Sequence, residues 1–255
     1  MREKQQDWKG AAQSFEEYAR SHPGDPRTVE SLSRAGDAYV KAGHDGKAKD
    51  VLARALAAAG GGRGSKGRGG GGASGDSDTR YWSAQARYLQ GELVFHDYER
   101  LKIAGKPKQL AKVLSEKAKL LEECKQIYLD VVTYQSPEWA TAALLRIGQG
   151  YEAFAKSMRG APVPKDLNAD EQQVYRDELE KLTVVVEDKA IDAYKSGYHK
   201  SLEIGVYNKH TQDIRRALSR LDEASYPKEP ESRAGLRAGE PPLHITKLED
   251  VRRDR

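Results

Sequence analysis

The chain has 255 residues, of which 38% are hydrophobic and 32% are charged. Its 43 basic and 39 acidic residues nearly balance, so charge alone does not indicate a nucleic-acid-binding surface. A single cysteine excludes a disulfide within the chain, and the absence of any run of about 18 apolar residues predicts no membrane span.

The N-terminal part of the chain predicts short helices. Trp8, Ala12 and Phe15 recur at three- and four-residue steps, which predicts an amphipathic helix over residues 4–21. Asp25, followed by a proline, predicts the N-cap of a second helix that ends at residue 42. Gly43 predicts a turn, and a third helix continues to about residue 60 after Asp45 as its N-cap. The short connection predicts an antiparallel helix hairpin.

Residues 60–77 are rich in glycine and predict a flexible linker, because glycine loses much backbone entropy on ordering and the segment has little apolar surface to bury. Arg63, Lys66 and Arg68 lie among these glycines, as in segments that contact RNA. No aromatic residue is interleaved with them, which argues against nucleic acid as the main partner. A nucleic-acid-associated adaptor that uses this basic linker remains the alternative function.

Longer helices are predicted after the linker. Helical periodicity and cap signals give segments at about residues 78–104, 107–134, 137–159, 169–204 and 207–224. Asn168 with Glu171 matches a capping box at the start of the longest segment, and Gly205 closes it. The composition of residues 227–255 predicts a disordered tail.

A spacing of small and large residues recurs along these helices. In its clearest form, Ala35-Gly36 and Tyr39 on one helix precede Ala48 and Leu52 on the next. Partial copies are Cys124-x3-Tyr128, Leu144-x2-Ile147-Gly148-x2-Tyr151, Ala190-x3-Tyr194 and a weaker one at Gly91. Small residues let two helices cross closely, and the large residues fill the space beside the crossing.

This spacing resembles the tetratricopeptide repeat (TPR) family, whose pattern is W-x2-L-G-x2-Y, then A-x3-F, then P. Leu32 stands where the family has its leading Trp, and the helices after residue 78 are longer than usual for the family. The resemblance implies an all-α, TPR-like stack of antiparallel helix hairpins, an α-α superhelix, with a concave groove that binds a peptide or a partner helix. The long helices are similar to those of bacterial envelope-associated members.

The resemblance divides the chain into four parts. These are N-terminal hairpins (1–59), the linker (60–77), a long-helix TPR-like domain (78–226) and the tail (227–255). The first helix matches the second half of a repeat, with Ala11-x3-Phe15 followed by Pro23, and no first half precedes it. We therefore expect that the chain is a fragment of a longer protein. The chain as given shows no signal peptide. We therefore expect the periplasm or envelope if the N-terminus is truncated, and the cytoplasm otherwise.

No set of residues predicts catalysis. The six histidines form no metal-ligand spacing, and the carboxylates lie in Lys/Glu-rich segments typical of solvated helix faces. Cys124 occupies a small-residue position in the pattern, which favours a packed thiol over a nucleophile. We therefore predict a non-enzymatic protein without cofactor or metal.

We expect a protein or peptide partner to bind the first helix of each hairpin. The polar and aromatic residues predicted to contact the partner are Arg34, Asp37, Lys41, Trp82, Tyr88, Trp139, Arg146 and Gln149. Self-association through the long helices is a further hypothesis.

Overall fold

The computed structural model describes residues 7–60, 76–103 and 107–228, and these residues form eight helices and no strand. The helices are α1 (Trp8–Ser21), α2 (Thr28–Lys41), α3 (Asp45–Gly60), α4 (Ser77–Arg100), α5 (Pro107–Thr133), α6 (Pro137–Arg159), α7 (Ala169–Glu203) and α8 (Lys209–Leu221). The all-α prediction is confirmed for this part of the chain. Residues 61–75 and the tail after residue 228 lie outside the described residues.

Most helix ends have the local chemistry that the sequence predicts. Gly43 and Gly205 both have φ of 71°, in the left-handed region that glycine adopts without strain. The Asn168 side chain accepts a hydrogen bond from the backbone N–H of Glu171, whose carboxylate accepts one from the Asn168 N–H, so the capping box is present. These contacts satisfy N–H groups that have no partner within the first turn of a helix.

Two predicted N-caps are wrong. Asp45 is the first residue of α3 and not its N-cap, and its carboxylate pairs with Arg100 at 3.2 Å. Asp25 does not cap α2, which begins at Thr28. The Asp25 carboxylate instead accepts a hydrogen bond at 2.8 Å from the backbone N–H of Arg27, two residues away, and is also paired with the Arg27 guanidinium. This local turn competes with the helical cap, as Asp side chains commonly do, and delays the start of the helix.

The helices pack in sequential pairs. Each helix contacts the next along the chain, and this includes α3 and α4, which residues 61–75 connect in sequence. In addition, α2 contacts α4, α4 contacts α6, and α6 contacts α8, so the even-numbered helices form a continuous row. The odd-numbered helices make their main contacts with the even-numbered helices on either side of them in the chain.

Glycines on even-numbered helices permit the closest crossings. A Cβ atom added to Gly36 would lie 2.6 Å from Leu52 Cγ, and one added to Gly91 would lie 2.6 Å from Tyr128 Cε1. At Gly148 the added atom would lie 2.7 Å from Tyr194 Cζ. Each glycine therefore accommodates the large residue that the sequence pattern pairs with it.

The core is continuous through α4. Ala86, Leu89 and Leu93 pack in one buried cluster with residues of α1, α2 and α3. Phe95 and Tyr98, further along α4, belong to a second cluster with residues of α5, α6 and α7. The hairpins before residue 60 and the long helices after residue 76 therefore share a helix in their cores.

The buried side chain of Lys117 on α5 caps the C-terminal end of α4. Its side chain is 2% exposed, and Nζ donates hydrogen bonds of 2.7 Å and 2.9 Å to the carbonyl oxygens of Tyr98 and Leu101. Burial lowers the pKa of Lys117 from its ordinary value. The ammonium donates to carbonyl oxygens that have no partner within α4. Its positive charge also interacts favourably with the negative, C-terminal end of the helix dipole.

Candidate functional site

The row of even-numbered helices presents a surface that we call the even-helix face. All the residues predicted to contact a partner lie on three of these helices: Arg34, Asp37 and Lys41 on α2, Trp82 and Tyr88 on α4, and Trp139, Arg146 and Gln149 on α6. The structure therefore places them in one row of adjacent helices, although they span more than a hundred residues of sequence. They divide into an aromatic part, an ionic part and an edge.

The aromatic part is a cluster formed by Tyr81, Trp82, Tyr88 and Trp139, which we call the aromatic cluster. The Tyr81 ring lies 5.0 Å from the Trp82 ring and 5.8 Å from the Trp139 ring, and Trp139 lies 5.2 Å from Tyr88. The guanidinium of Arg34 lies 5.1 Å from the Trp82 ring centroid, within cation–π range. The cluster therefore joins α2, α4 and α6 at a half-buried surface.

Two helix starts position these rings. The Asp76 carboxylate accepts a hydrogen bond of 2.8 Å from the backbone N–H of Thr79, and this contact lowers the pKa of Asp76. It fixes the first turn of α4, and Tyr81 and Trp82 follow in the second turn. Pro137 occupies the first turn of α6, where a missing N–H costs nothing, and Trp139 follows it. Tyr81, Trp82 and Trp139 thus lie near the starts of two helices that contact each other.

The ionic part is centred on Glu92 and Arg146. Arg146 Nε and Nη2 donate to the two carboxylate oxygens of Glu92 at 2.8 Å and 2.5 Å, and the Tyr128 hydroxyl donates to Glu92 Oε1 at 2.6 Å. Arg146 Nη1 donates to Gln149 Oε1 at 3.0 Å, and the guanidinium stacks 4.8 Å from the Phe95 ring. This bidentate pair links α4 to α6 and fixes the direction of the Arg146 side chain.

The protonation states follow from these contacts. Burial opposes the charged form of Glu92, but the hydrogen bonds and charge of Arg146 more than offset it, so the pKa of Glu92 is lowered. The hydrogen bonds that Arg146 donates to Glu92 raise the pKa of Arg146. Burial, reinforced by the Glu92 charge, raises the pKa of both Tyr88 and Tyr128. The pair is therefore charged, and both tyrosines are neutral, at physiological pH.

A cavity of about 760 Å³ continues the ionic part toward α8. Arg146 and Gln149 line it together with charged residues of α4, α6 and α8, which are Glu99, Glu152, Lys156, Asp213, Arg216 and Arg220. Arg220 pairs with Glu152 at 2.7 Å, and Arg216 pairs with Asp213. The lining carries both signs of charge, so it suits a partner with mixed charge more than a polyanion.

Two predicted residues lie at the edge of this face. Asp37 and Lys41 pair with each other at 2.6 Å, and Lys41 Nζ lies 4.9 Å from the ring centroid of Trp8 on α1. Lys41 thus connects this edge to α1, whereas Arg34 on the same helix contacts both Phe15 of α1 and Trp82 of the aromatic cluster. All three lie on one side of α2, as their three- and four-residue spacing requires.

The sequence did not indicate several residues of this face. Glu92 directly follows Gly91, the glycine of the weaker copy of the repeat pattern. This position next to a predicted helix crossing is the sequence feature that could have identified Glu92. Asp213, Arg216 and Arg220 recur at helical steps on α8, but α8 carries no glycine pattern to indicate which side faces α6. Side chains far apart in sequence, such as Glu92 and Arg146, cannot be paired without the fold.

Neither a metal-ligand cluster nor an exposed thiol occurs among the described residues. Among them, no group of three or more His, Cys, Asp or Glu side chains is arranged to hold a metal ion. Cys124 is 1% exposed, and burial raises its pKa to about 12, so the thiol is neutral and enclosed. None of the described helices combines the length and hydropathy that a membrane span needs. The basic residues of the linker lie outside the described residues, and their role stays a prediction.

The fold and the site define an all-helical protein of sequentially packed helix pairs with an aromatic and ionic face. Comparisons with models of protein families, with curated proteins and with solved structures found no match to this chain. The function is therefore argued from the geometry of the even-helix face.

Proposed function

We propose that the chain is a non-enzymatic scaffold that binds a peptide or a partner helix on the even-helix face. In this proposal the helix pairs form a TPR-like stack of the long-helix kind, and the even-numbered helices line its concave side. Support comes from Gly36, Gly91 and Gly148, which occupy matching positions on successive even-numbered helices and each contact a large residue of the following helix. Such stacking produces extended binding surfaces in repeat proteins.

The aromatic cluster is the observation that carries the proposal. Tryptophan, tyrosine and arginine are the residues that contribute most to binding energy in protein interfaces. Here Trp82, Trp139 and Tyr88 lie together with Arg34 on a surface that is only half buried. Partly exposed aromatic rings offer a partner a large apolar contact area. They lose little side-chain entropy on binding because they are rigid.

The ionic part supplies orientation. Arg146 is held by Glu92, so its remaining donors present a fixed direction to the cavity beside it. A bound segment would place an apolar side chain on the aromatic cluster and polar groups along the 760 Å³ cavity. By the resemblance to envelope-associated repeat proteins, we place this binding in a bacterial multiprotein assembly.

A displayed library of random peptides, selected against the full chain, tests the proposal. We expect selected peptides to bind the double variant Trp82→Ala/Trp139→Ala at least about tenfold more weakly, because each buried aromatic anchor contributes more than 1 kcal/mol. Leu129→Ala, at an exposed position of α5, is the matched control and keeps full affinity. Calorimetry gives the affinities, and circular dichroism verifies that each variant is folded.

Either of two outcomes would overturn the proposal. The first is a set of peptides that bind the double variant as tightly as the wild type. The second is a folded chain that enriches no peptide while a known peptide-binding domain does so in the same selection.

A further inference from the structure

The N-terminal half of α7 exposes apolar side chains on the side that faces away from α6. The exposed fractions are 62% for Val174, 48% for Leu182, 46% for Val184 and 53% for Val185. On the opposite side of the helix, Leu179 is buried in a cluster with Phe154 and Met158 of α6. The exposed side therefore has no part in the core of the described residues.

Four positions on this exposed side form a symmetric sequence, which we call the α7 stripe. Val174, Glu178, Lys181 and Val185 follow one another at steps of four, three and four residues, which keeps them on one face of the helix. Glu178 and Lys181 form an ion pair of 2.7 Å, with side chains 63% and 70% exposed. The order along the helix is apolar, acidic, basic, apolar. If a second copy of this helix lies antiparallel to the first, each acidic position faces a basic one and each apolar position faces an apolar one.

We propose that the α7 stripe binds the same stripe of a second copy of this chain, with the two helices antiparallel. A two-fold axis between residues 179 and 180 places Glu178 opposite the second copy's Lys181, and Lys181 opposite the second copy's Glu178. The same axis places Val174 opposite the second copy's Val185. Each charge then has an opposite charge across the interface, and each apolar end is covered by an apolar end, as a closed two-fold contact requires.

Charge complementarity is the reason to choose a second copy as the occupant. Any partner must cover the valines without leaving Glu178 or Lys181 facing a like charge, and a like-charge contact strongly disfavours binding. The reversed stripe meets both demands with residues the chain already has. Leu182 and Val184, adjacent to the stripe, add exposed apolar area at the edge of the contact.

The contact is short, so the dimer is expected to be reversible. From residue 174 to residue 185 the helix rises only about 16 Å, or about three turns. A pair of helices in contact over this length buries less than the roughly 1,600 Å² of a standard interface. We therefore expect monomer and dimer to exchange with concentration. Because α7 does not belong to the even-helix face, this inference does not depend on the proposed function.

Sedimentation equilibrium of the full chain over a wide concentration range tests the inference. We expect wild-type chain to dimerise and the single variants Glu178→Lys and Lys181→Glu to dimerise at least about tenfold more weakly, because each places like charges opposite one another. The double variant Glu178→Lys/Lys181→Glu restores the pairing and the wild-type affinity. An equimolar mixture of the two single variants associates at least as tightly as wild type, because every facing pair in the mixed dimer is then opposite in charge.

The matched control is the charge swap Glu122→Lys/Lys125→Glu on α5, where the wild-type ion pair of 3.1 Å has the same three-residue spacing, and we expect this swap to leave dimerisation unchanged. The charge swaps are used instead of added salt because Asp177 and Glu180, which flank the stripe, also respond to salt. A wild-type chain that stays monomeric at every concentration overturns the inference. So does a dimer whose affinity is the same in wild type, both single variants and their mixture, because that dimer forms elsewhere.

Discussion

Gly148→Ala tests whether the glycines of the even-numbered helices set the helix crossings. An alanine inside a helix is normally favoured over glycine by about 1 kcal/mol. Here the added Cβ would lie 2.7 Å from Tyr194 Cζ, and other carbons of that ring would be closer still. Tyr194 is 1% exposed, so its ring cannot move aside into solvent. The helix preference and the crowding therefore act in opposite directions at this position.

The crowding is the larger effect. Inserting a methyl group into a packed core costs about 1–3 kcal/mol. Moving the ring also strains the hydrogen bond of 2.9 Å that the Tyr194 hydroxyl donates to Glu152, which is worth about 1–2 kcal/mol. After subtracting the gain in helix preference, we expect the free energy of unfolding to fall by about 2 kcal/mol. For a chain of this size the melting temperature falls by about 4–8 °C.

Urea denaturation followed by far-UV circular dichroism measures this change. Gly46→Ala is the control, because Gly46 lies in α3 with open space around it, and we expect it to raise stability by about 0.5 kcal/mol. Tyr194→Phe adds a double-mutant cycle: removing the hydroxyl should cost less in the Gly148→Ala background, where the bond is already strained. A Gly148→Ala chain as stable as wild type would refute the reasoning.

Three further predictions concern buried polar groups. Arg146→Met leaves the carboxylate of Glu92 without its cation, and we expect a loss of about 2–3 kcal/mol at neutral pH by urea denaturation. In wild type the lowered pKa of Glu92 gives stability that is present above the unfolded pKa of about 4.5 and is lost as pH falls below it. In the variant, burial raises that pKa, so stability instead falls as pH rises through it. Lys117→Met removes the donor to two carbonyls and is expected to cost about 2 kcal/mol, whereas exposed Lys119→Met is neutral. Cys124 should react with a thiol reagent only at the rate of unfolding, because it is 1% exposed and its pKa is raised to about 12.

Each of these predictions has an outcome that contradicts it. Identical pH profiles for wild type and Arg146→Met would show that Glu92 is not held by that guanidinium. Equal stability of the Lys117 and Lys119 variants would remove the capping role of the buried ammonium. Rapid modification of Cys124 in the folded chain would show that its helix face opens to solvent.

The sequence predicted the helices better than the contacts between them. Capping box, left-handed glycine and proline signals act within a few residues, so the bounds of α6 and the start of α7 agree with the structure. The pairing of Gly148 with Tyr194 was also predictable, because a small residue on one helix and a large one on the next follow a known spacing. The prediction that Asp25 caps α2 was wrong because an Asp side chain can either cap a helix or accept from the backbone N–H two residues later. The sequence does not show which of these two hydrogen bonds forms.

The candidate site was predictable only in outline. Positions on one side of α2, α4 and α6 follow from helical periodicity, which brought Arg34, Trp82 and Trp139 to the same face. Glu92 and Arg146 are 54 residues apart in sequence, so their pairing depends on how α4 and α6 are aligned, and that alignment is a property of the packed core. The contribution of α8 was missed for the same reason.

Footprinting by hydroxyl radicals, with and without a selected peptide, tests the central claim most directly. The radicals oxidise accessible aromatic side chains, and mass spectrometry reports each position separately. We predict that bound peptide lowers the oxidation of Trp82, Trp139 and Tyr88 while Tyr207, which is 51% exposed in the connection between α7 and α8, is unaffected. Bound peptide that leaves Trp82 and Trp139 as reactive as before would contradict the even-helix face as the binding surface.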